Sequence, residues 1–359
     1  MRVALVHDYL NQRGGAERVF AHIARAYPDA PVYTALYDAR QTGDLVPPSR
    51  VRTSFLAKIP QANRYFRYLA PLYPAAFERF DFSGYDTIIS STTAWAKGIV
   101  LPSGAVHVCY INTVSRFLFD YDAYVGGLGA RAFVRPIVRR LADWDRRAAR
   151  LPTQFIANSR NVAERIKRYY GRESLVLHAP VDVNRFTVGM GGGDYFFIAS
   201  RLLPYKRIDL AIEAANAAGV RLLVAGTGPM YESLCRLARG TTTTMLGFVS
   251  DERLNELLGA ARAALLPGQE DYGLVPLEAA ACGRPAIAFR GGGALETIVE
   301  GATGEYFDEQ TPQSLASVLR SFDERRYDAE HLREHAQQFG PDRFIERLRA
   351  IVERIRSAP

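Results

Sequence analysis

The sequence predicts an α/β protein made of two doubly wound, Rossmann-like parallel-sheet domains. Two observations predict it. Short apolar runs that read as buried strands alternate with longer segments of helical period, and this alternation occurs twice along the 359 residues. Between the two series lies the stretch 189–193, GMGGG, the sharpest change of composition in the chain. A chain of this length can hold two such domains, each with its own core.

The first series opens on a strand at 3–8, VALVHD, followed by a turn containing Gly14 and Gly15 and a helix from 16 to about 27. A strand, a Gly-Gly turn and a helix either bring backbone close to a phosphate or make a tight turn. Residues 55–82 interleave aromatics with Lys58, Arg64, Arg67 and Arg79. They read as helices whose aromatics fill the core, or as an amphipathic surface facing anionic lipid. Strands follow at 87–90, 106–111 and 154–157, with an Arg-rich helix over about 131–150 that contains Pro136. Asp120 and Asp122, and Asp143 and Asp145, each form Asp-x-Asp. The second pair lies in the helix pattern beside Arg146 and Arg147 and reads as a solvated face. Asn158 and Ser159 cap a helix reaching 167. The second series runs YFFIAS, LLVAG, TMLGF, AALL and PAIAF, and three helix patterns close the chain from Thr311 onward.

Composition narrows the function. With 48% hydrophobic and 23% charged residues the chain is globular. No apolar run approaches the ~18 residues of a membrane-spanning helix. Three widely spaced cysteines point to a reducing compartment, with neither a disulfide framework nor a zinc site. The expected location is the cytoplasm. Residues 1–190 carry 26 Lys and Arg against 15 Asp and Glu, a net +11, and the remainder carries −4. The basic first half therefore suits an anionic partner, such as the inner face of the cell membrane. The pI of about 9.3 comes without any nucleic-acid recognition motif, so no nucleic-acid partner is expected.

Chemistry concentrates at 267–296, PGQEDYGLVPLEAAACGRPAIAFRGGGALE. Glu270 stands just before a helix start and Glu278 about one turn inside it. Backbone N–H groups at Gly273, Leu274 and Val275 open that helix, where orphan donors and the helix dipole favour an anion. Upstream, Arg201 and Lys206 in SRLLPYKRIDL fall at the carboxyl edge of the second sheet, where open α/β sheets bind ligands. Carboxylates that accept from vicinal hydroxyls, beside two cations and a helix start, suit a phosphorylated, hydroxyl-rich ligand.

Glu-x7-Glu followed by ACGRPAIAFRGGGALETI resembles the C-terminal signature of retaining glycosyltransferases of the GT4 family, which have the GT-B fold. Within that family it most resembles bacterial mannosyltransferases of O-antigen and exopolysaccharide synthesis. The resemblance implies two domains facing across a cleft. Residues 1–188 would bind acceptor and 189–339 nucleotide-sugar, with a last helix at about 340–359 packing back on the first domain. It implies that Arg201 and Lys206 hold the donor diphosphate, that Glu278 binds ribose and that Glu270 binds the transferred sugar. It also brings Phe248 and Val249 to the base. Where related mannosyltransferases read His-Thr-Pro-x-Arg, this chain has Asn112-Thr113-Val114-Ser115-Arg116. Asn112 and Arg116 then become acceptor or sugar contacts, and Asn112 cannot titrate near neutral pH.

The implied enzyme uses GDP-mannose and a lipid-diphosphate-linked or saccharide acceptor, with no metal and no cofactor. A UDP-sugar donor, or a donor-binding subunit without turnover, are the alternatives.

Overall fold

Val3–His7 forms β1, a buried apolar run that ends against Asp8. The computed structural model describes residues 1–121 and 131–357. Seven strands form one sheet: β1, β2 (Val32–Thr34), β3 (Val51–Thr53), β4 (Thr87–Thr92), β5 (Val106–Ile111), β6 (Gln154–Ala157) and β7 (Ser174–Val176). Six form another: β8 (Tyr195–Ala199), β9 (Arg221–Ala225), β10 (Thr243–Gly247), β11 (Ala264–Leu266), β12 (Ala286–Phe289) and β13 (Gly304–Phe307). Every pairing among these strands is parallel. Helices cover both faces of such sheets, so the central strands are buried along nearly all their length and do not alternate, β4 with its Thr and Ser residues included.

The sheet orders are β3-β2-β1-β4-β5-β6-β7 and β10-β9-β8-β11-β12-β13. Each is doubly wound: the first strand lies inside, the chain runs outward on one side, then returns and runs outward on the other. The chain divides into two compact units, each holding one sheet. The first includes the C-terminal helix Pro341–Ser357, and the second spans Val181–Gly340. The glycine-rich stretch lies inside the second unit. There the Gly189 N–H donates to the Cys282 carbonyl and the Gly193 N–H to that of Ala260.

In the first unit Tyr73, Phe77, Phe82, Trp95 and Trp144 pack with Ile88 and Val6 into one core. The segment 55–82 is thus divided. Tyr73, Phe77 and Phe82 are buried, whereas Tyr65, Tyr68 and Leu72 stay exposed beside exposed Arg64 and Arg67. Helix Pro341–Ser357 lies on helix Gly15–Ala26, where Arg349 donates to the Ala26 carbonyl at 2.6 Å from Nη2. That contact satisfies a carbonyl at the end of the earlier helix. In the second unit Phe196, Ile198, Leu222, Val224, Leu265 and Ile287 fill the sheet under helices Ile208–Ala218 and Pro312–Ser321.

The reading of Asp143 and Asp145 as a solvated face requires correction. Asp143 is exposed and accepts from Arg146, but Asp145 is fully buried. Its carboxylate accepts from the buried Lys97 ammonium and from the Tyr170 hydroxyl. Burial raises the Asp145 pKa, and Lys97 opposes that shift. Asp120 accepts from Arg165 at 2.7 Å and from Tyr169 at 3.0 Å. Asp122 lies outside the described residues.

Candidate active site

Open α/β sheets receive ligands beyond the carboxyl ends of their strands, where the winding reverses. In the second unit that point lies between β8 and β11. β8 runs through Ser200 and an exposed Arg201 into a 3-10 turn, Pro204–Lys206. Arg207 follows with φ 53°, a left-handed conformation rare outside glycine. β11 runs through Gly268 and Glu270 to helix Val275–Ala281.

These two loops meet. The Lys206 ammonium donates to Oε1 of Glu270, and the side chains are 17% and 11% exposed. Gly268 permits the approach, since a Cβ there would stand 2.4 Å from the Tyr205 carbonyl oxygen and 2.7 Å from Lys206 Cα. A third loop, after β12, braces Glu270 from the other side. The Gly293 N–H donates to the Glu270 carbonyl at 3.0 Å. Gly292, at φ 63°, lies so near that a Cβ would be 2.2 Å from the same oxygen. The reversal point thus holds a cation and a carboxylate whose backbones are fixed by glycine-mediated loop contacts.

The other donor residues expected in this unit lie around the same edge of its sheet, whereas Gly14 and Gly15 belong to the first unit. Gly273 and Leu274 precede helix Val275–Ala281, and Glu278 is half-buried in its first turn. Phe248 follows β10 with its ring 81% exposed, and Val249 is half-buried. Cys282 is no nucleophile. Burial, with the Glu278 carboxylate adding, pushes its thiol up to about 12.

In the first unit the reversal point lies between β1 and β4, and Asp8 fills it. Its buried carboxylate accepts from the backbone N–H groups of Thr93, Ala94, Trp95 and Ala96 at 2.6 to 3.0 Å. It also accepts from the hydroxyls of Thr92 and Thr93. Gly14 and Gly15 begin helix Gly15–Ala26, where the buried Glu17 carboxylate lies against Gly14. Asn112 is buried beyond β5, its Nδ2 donating to Ser91 Oγ at 2.9 Å and to the Thr92 carbonyl at 3.4 Å. Arg116 starts a short helix, Arg116–Phe119. Sequence reasoning singled out neither Asp8 nor Glu17 as a site residue. An acidic residue closing a buried strand was the signal available for Asp8.

Two family models match end to end: Glycosyltransferase Family 4 over residues 13–185 and Glycosyl transferases group 1 over residues 184–339. The chain thus carries a Glycosyltransferase Family 4 domain followed by a Glycosyl transferases group 1 domain. Its two Rossmann-like parallel-sheet units are those of the GT-B fold. It is 39% identical over 128 residues to a GDP-mannose-dependent alpha-(1-6)-phosphatidylinositol dimannoside mannosyltransferase of Mycobacterium tuberculosis. That match covers 34% of this chain and 33% of the other. The corresponding monomannoside mannosyltransferase of Mycolicibacterium smegmatis is 29% identical over 293 residues, 66% of this chain and 74% of that one. Among solved structures, Anabaena Alr3699/HepE in complex with UDP and glucose superposes with a TM-score of 0.70 at 20% identity. That superposition covers 98% of this chain and 99% of the other. The chain thus spans about a third of the length of the first relatives it matches, as in the 33% above.

Among the described residues, no group of three His, Cys, Asp or Glu side chains could hold a metal ion. No described helix is long and apolar enough to cross a membrane.

Proposed function

We propose that this chain is a retaining glycosyltransferase that moves mannose from GDP-mannose onto a lipid-diphosphate-linked or saccharide acceptor. The contact between Lys206 and Glu270 at the reversal point of the second sheet carries the reading. Lys206 places a cation at the carboxyl edge of this sheet, where open α/β sheets bind ligands and where an anionic donor group would lie. Arg201, exposed on the same loop, adds a second, permanent charge. As the bond from the sugar's anomeric carbon to the diphosphate oxygen breaks, negative charge grows on the departing group. Cations already in place stabilise that charge more than they stabilise the bound substrate.

The acceptor oxygen then bonds to the same face of that carbon, and its proton passes to the departing phosphate. No protein base is required, which accommodates a non-titrating Asn112. Glu270 orients the transferred sugar through its hydroxyls, Glu278 takes the ribose, and Phe248 and Val249 line the base. Gly14 and Gly15 approach the donor phosphates in this reading, although the Glu17 carboxylate beside Gly14 makes theirs the weaker anion site.

The names of the two mycobacterial relatives, both GDP-mannose-dependent, support the choice of donor. A thermal-shift panel of GDP, UDP, ADP and their common sugars tests it. Stabilisation by GDP and GDP-mannose above the rest is the expected result. A preference for UDP would replace the donor, and no shift with any nucleotide would remove the reading of the second unit.

The exposed Tyr65, Tyr68 and Leu72, set among Arg64 and Arg67, support peripheral contact with anionic membrane in the same scheme. Flotation with phosphatidylserine vesicles is expected to fall as salt rises. Equal recovery on neutral vesicles would sink the electrostatic contact.

A further inference from the structure

Helix Ala329–Gln337 packs on helix Val275–Ala281 in the second unit. Two of its half-buried side chains, His335 and Arg333, reach main-chain carbonyls of neighbouring segments. His335 Nε2 stands 3.0 Å from the Thr297 carbonyl oxygen. A carbonyl only accepts, so Nε2 carries a proton, in the neutral ring as in the imidazolium. Arg333 Nη1 donates to the carbonyls of Ala281 at 2.7 Å and Phe186 at 3.0 Å, and Nη2 to that of Val183 at 3.2 Å. Ala281 ends helix Val275–Ala281, so the guanidinium satisfies a carbonyl left over at a helix end.

Each contact leads to one of the two glutamates. Thr297 ends the short helix Ala294–Thr297, which begins at the glycines that brace Glu270. This segment has no slack toward Glu270. Besides the Gly293 N–H on the Glu270 carbonyl, a Cβ at Gly293 would stand 2.3 Å from Tyr272 Cα. Contacts packed this closely pass a displacement on. The segment is also held within itself, since the Tyr306 hydroxyl lies 3.0 Å from the carbonyls of both Ala294 and Ile298. Loss of His335 therefore lets it shift as a unit without unravelling. Arg333 leads to the other glutamate, because helix Val275–Ala281 carries Glu278.

We propose that His335 and Arg333 are positioning residues of the nucleotide-sugar site. His335 sets Glu270 against the transferred sugar, and Arg333 sets Glu278 against the ribose. The proposal rests on the donor reading above. Ligand contacts need their side chains held to within about 0.5 Å by such supports, so losing a support weakens binding without removing any group that touches the ligand.

Calorimetric titration of the full chain with GDP and with GDP-mannose tests it, because only the second presents a sugar to Glu270. His335→Leu should weaken GDP-mannose about fivefold, the scale of one lost hydrogen bond, and leave GDP as in the wild type. His335→Gln keeps an amide N–H of similar reach and should restore the GDP-mannose affinity. Arg333→Met should weaken both ligands alike, since both carry the ribose. A role in stability alone would lower the melting temperature and leave the ratio of the two affinities unchanged. An unchanged ratio in His335→Leu, or a loss there that His335→Gln shares, overturns the assignment of His335. An unchanged GDP affinity in Arg333→Met overturns that of Arg333, and the His335 pair decides the proposal where Arg333→Met does not fold. In each of these cases binding by the wild type leaves the donor reading standing. Binding of neither ligand by the wild type removes both.

Discussion

Lys206→Ala is expected to lower turnover by at least ~100-fold, the usual scale for a lost contact to developing transition-state charge. Two effects combine. The variant removes a cation from the place where the departing diphosphate gains charge. It also leaves Glu270, whose side chain is 11% exposed, as an unpaired carboxylate in the same spot. That carboxylate then repels the group that Lys206 had attracted. Lys206→Ala should therefore be worse than neutralising both partners, and the double variant Lys206→Ala, Glu270→Ala should recover part of the GDP-mannose affinity but little of kcat. Steady-state kinetics with GDP-mannose separates the two effects, with affinity read from KM and charge stabilisation from kcat. A kcat near wild type in Lys206→Ala would remove the pair from the reaction. Additive losses in the double variant would show that the two residues act apart.

Both sheets were legible in the sequence because buried parallel strands read as continuous apolar runs. Val106–Ile111, Tyr195–Ala199 and Ala286–Phe289 are of that kind. The strands left unread, Val32–Thr34, Val51–Thr53, Ser174–Val176 and Gly304–Phe307, are three or four residues long and hold at most two consecutive apolar residues, whereas the equally short Ala264–Leu266 and Ala286–Phe289 are apolar throughout. Lys206 and Glu270 could be singled out as residues, but their meeting could not, since it depends on Gly268 lying against the Tyr205–Lys206 backbone. Asp145 misled for the opposite reason. Its neighbours in sequence are arginines, whereas its partner, Lys97, comes from a distant loop and is buried with it. Asp8 was legible only as the end of an apolar run. The groups it binds are mainly backbone N–H groups, which any sequence supplies.

Asp8→Ala is expected to destabilise the first unit by at least about 3 kcal/mol, because it strands three backbone donors at ~1–3 kcal/mol each. The hydroxyls of Thr92 and Thr93 can turn toward other acceptors. The four backbone N–H groups of residues 93–96 cannot, and the only other acceptor shown for them is Thr92 Oγ1, which takes that of Ala94. For a unit of this size the loss corresponds to a fall in melting temperature on the order of 10 °C, read by calorimetry. Asp8→Asn should fall between, since one oxygen remains while an NH2 group faces the donors. A loss below about 1 kcal/mol in Asp8→Ala would mean that the loop holds itself. The consequence reaches beyond stability. The Thr92 carbonyl accepts the Asn112 N–H, and the Thr93 carbonyl accepts the Ser115 hydroxyl, so loosening this loop should also raise the KM for acceptor. The same reversal point is therefore used in opposite ways by the two sheets. In the first it is filled by the chain's own carboxylate, which backbone N–H groups saturate and which would repel a diphosphate. In the second it carries the Lys206 ammonium beside Glu270. This asymmetry is the physical reason to seek the anionic donor group on the second unit.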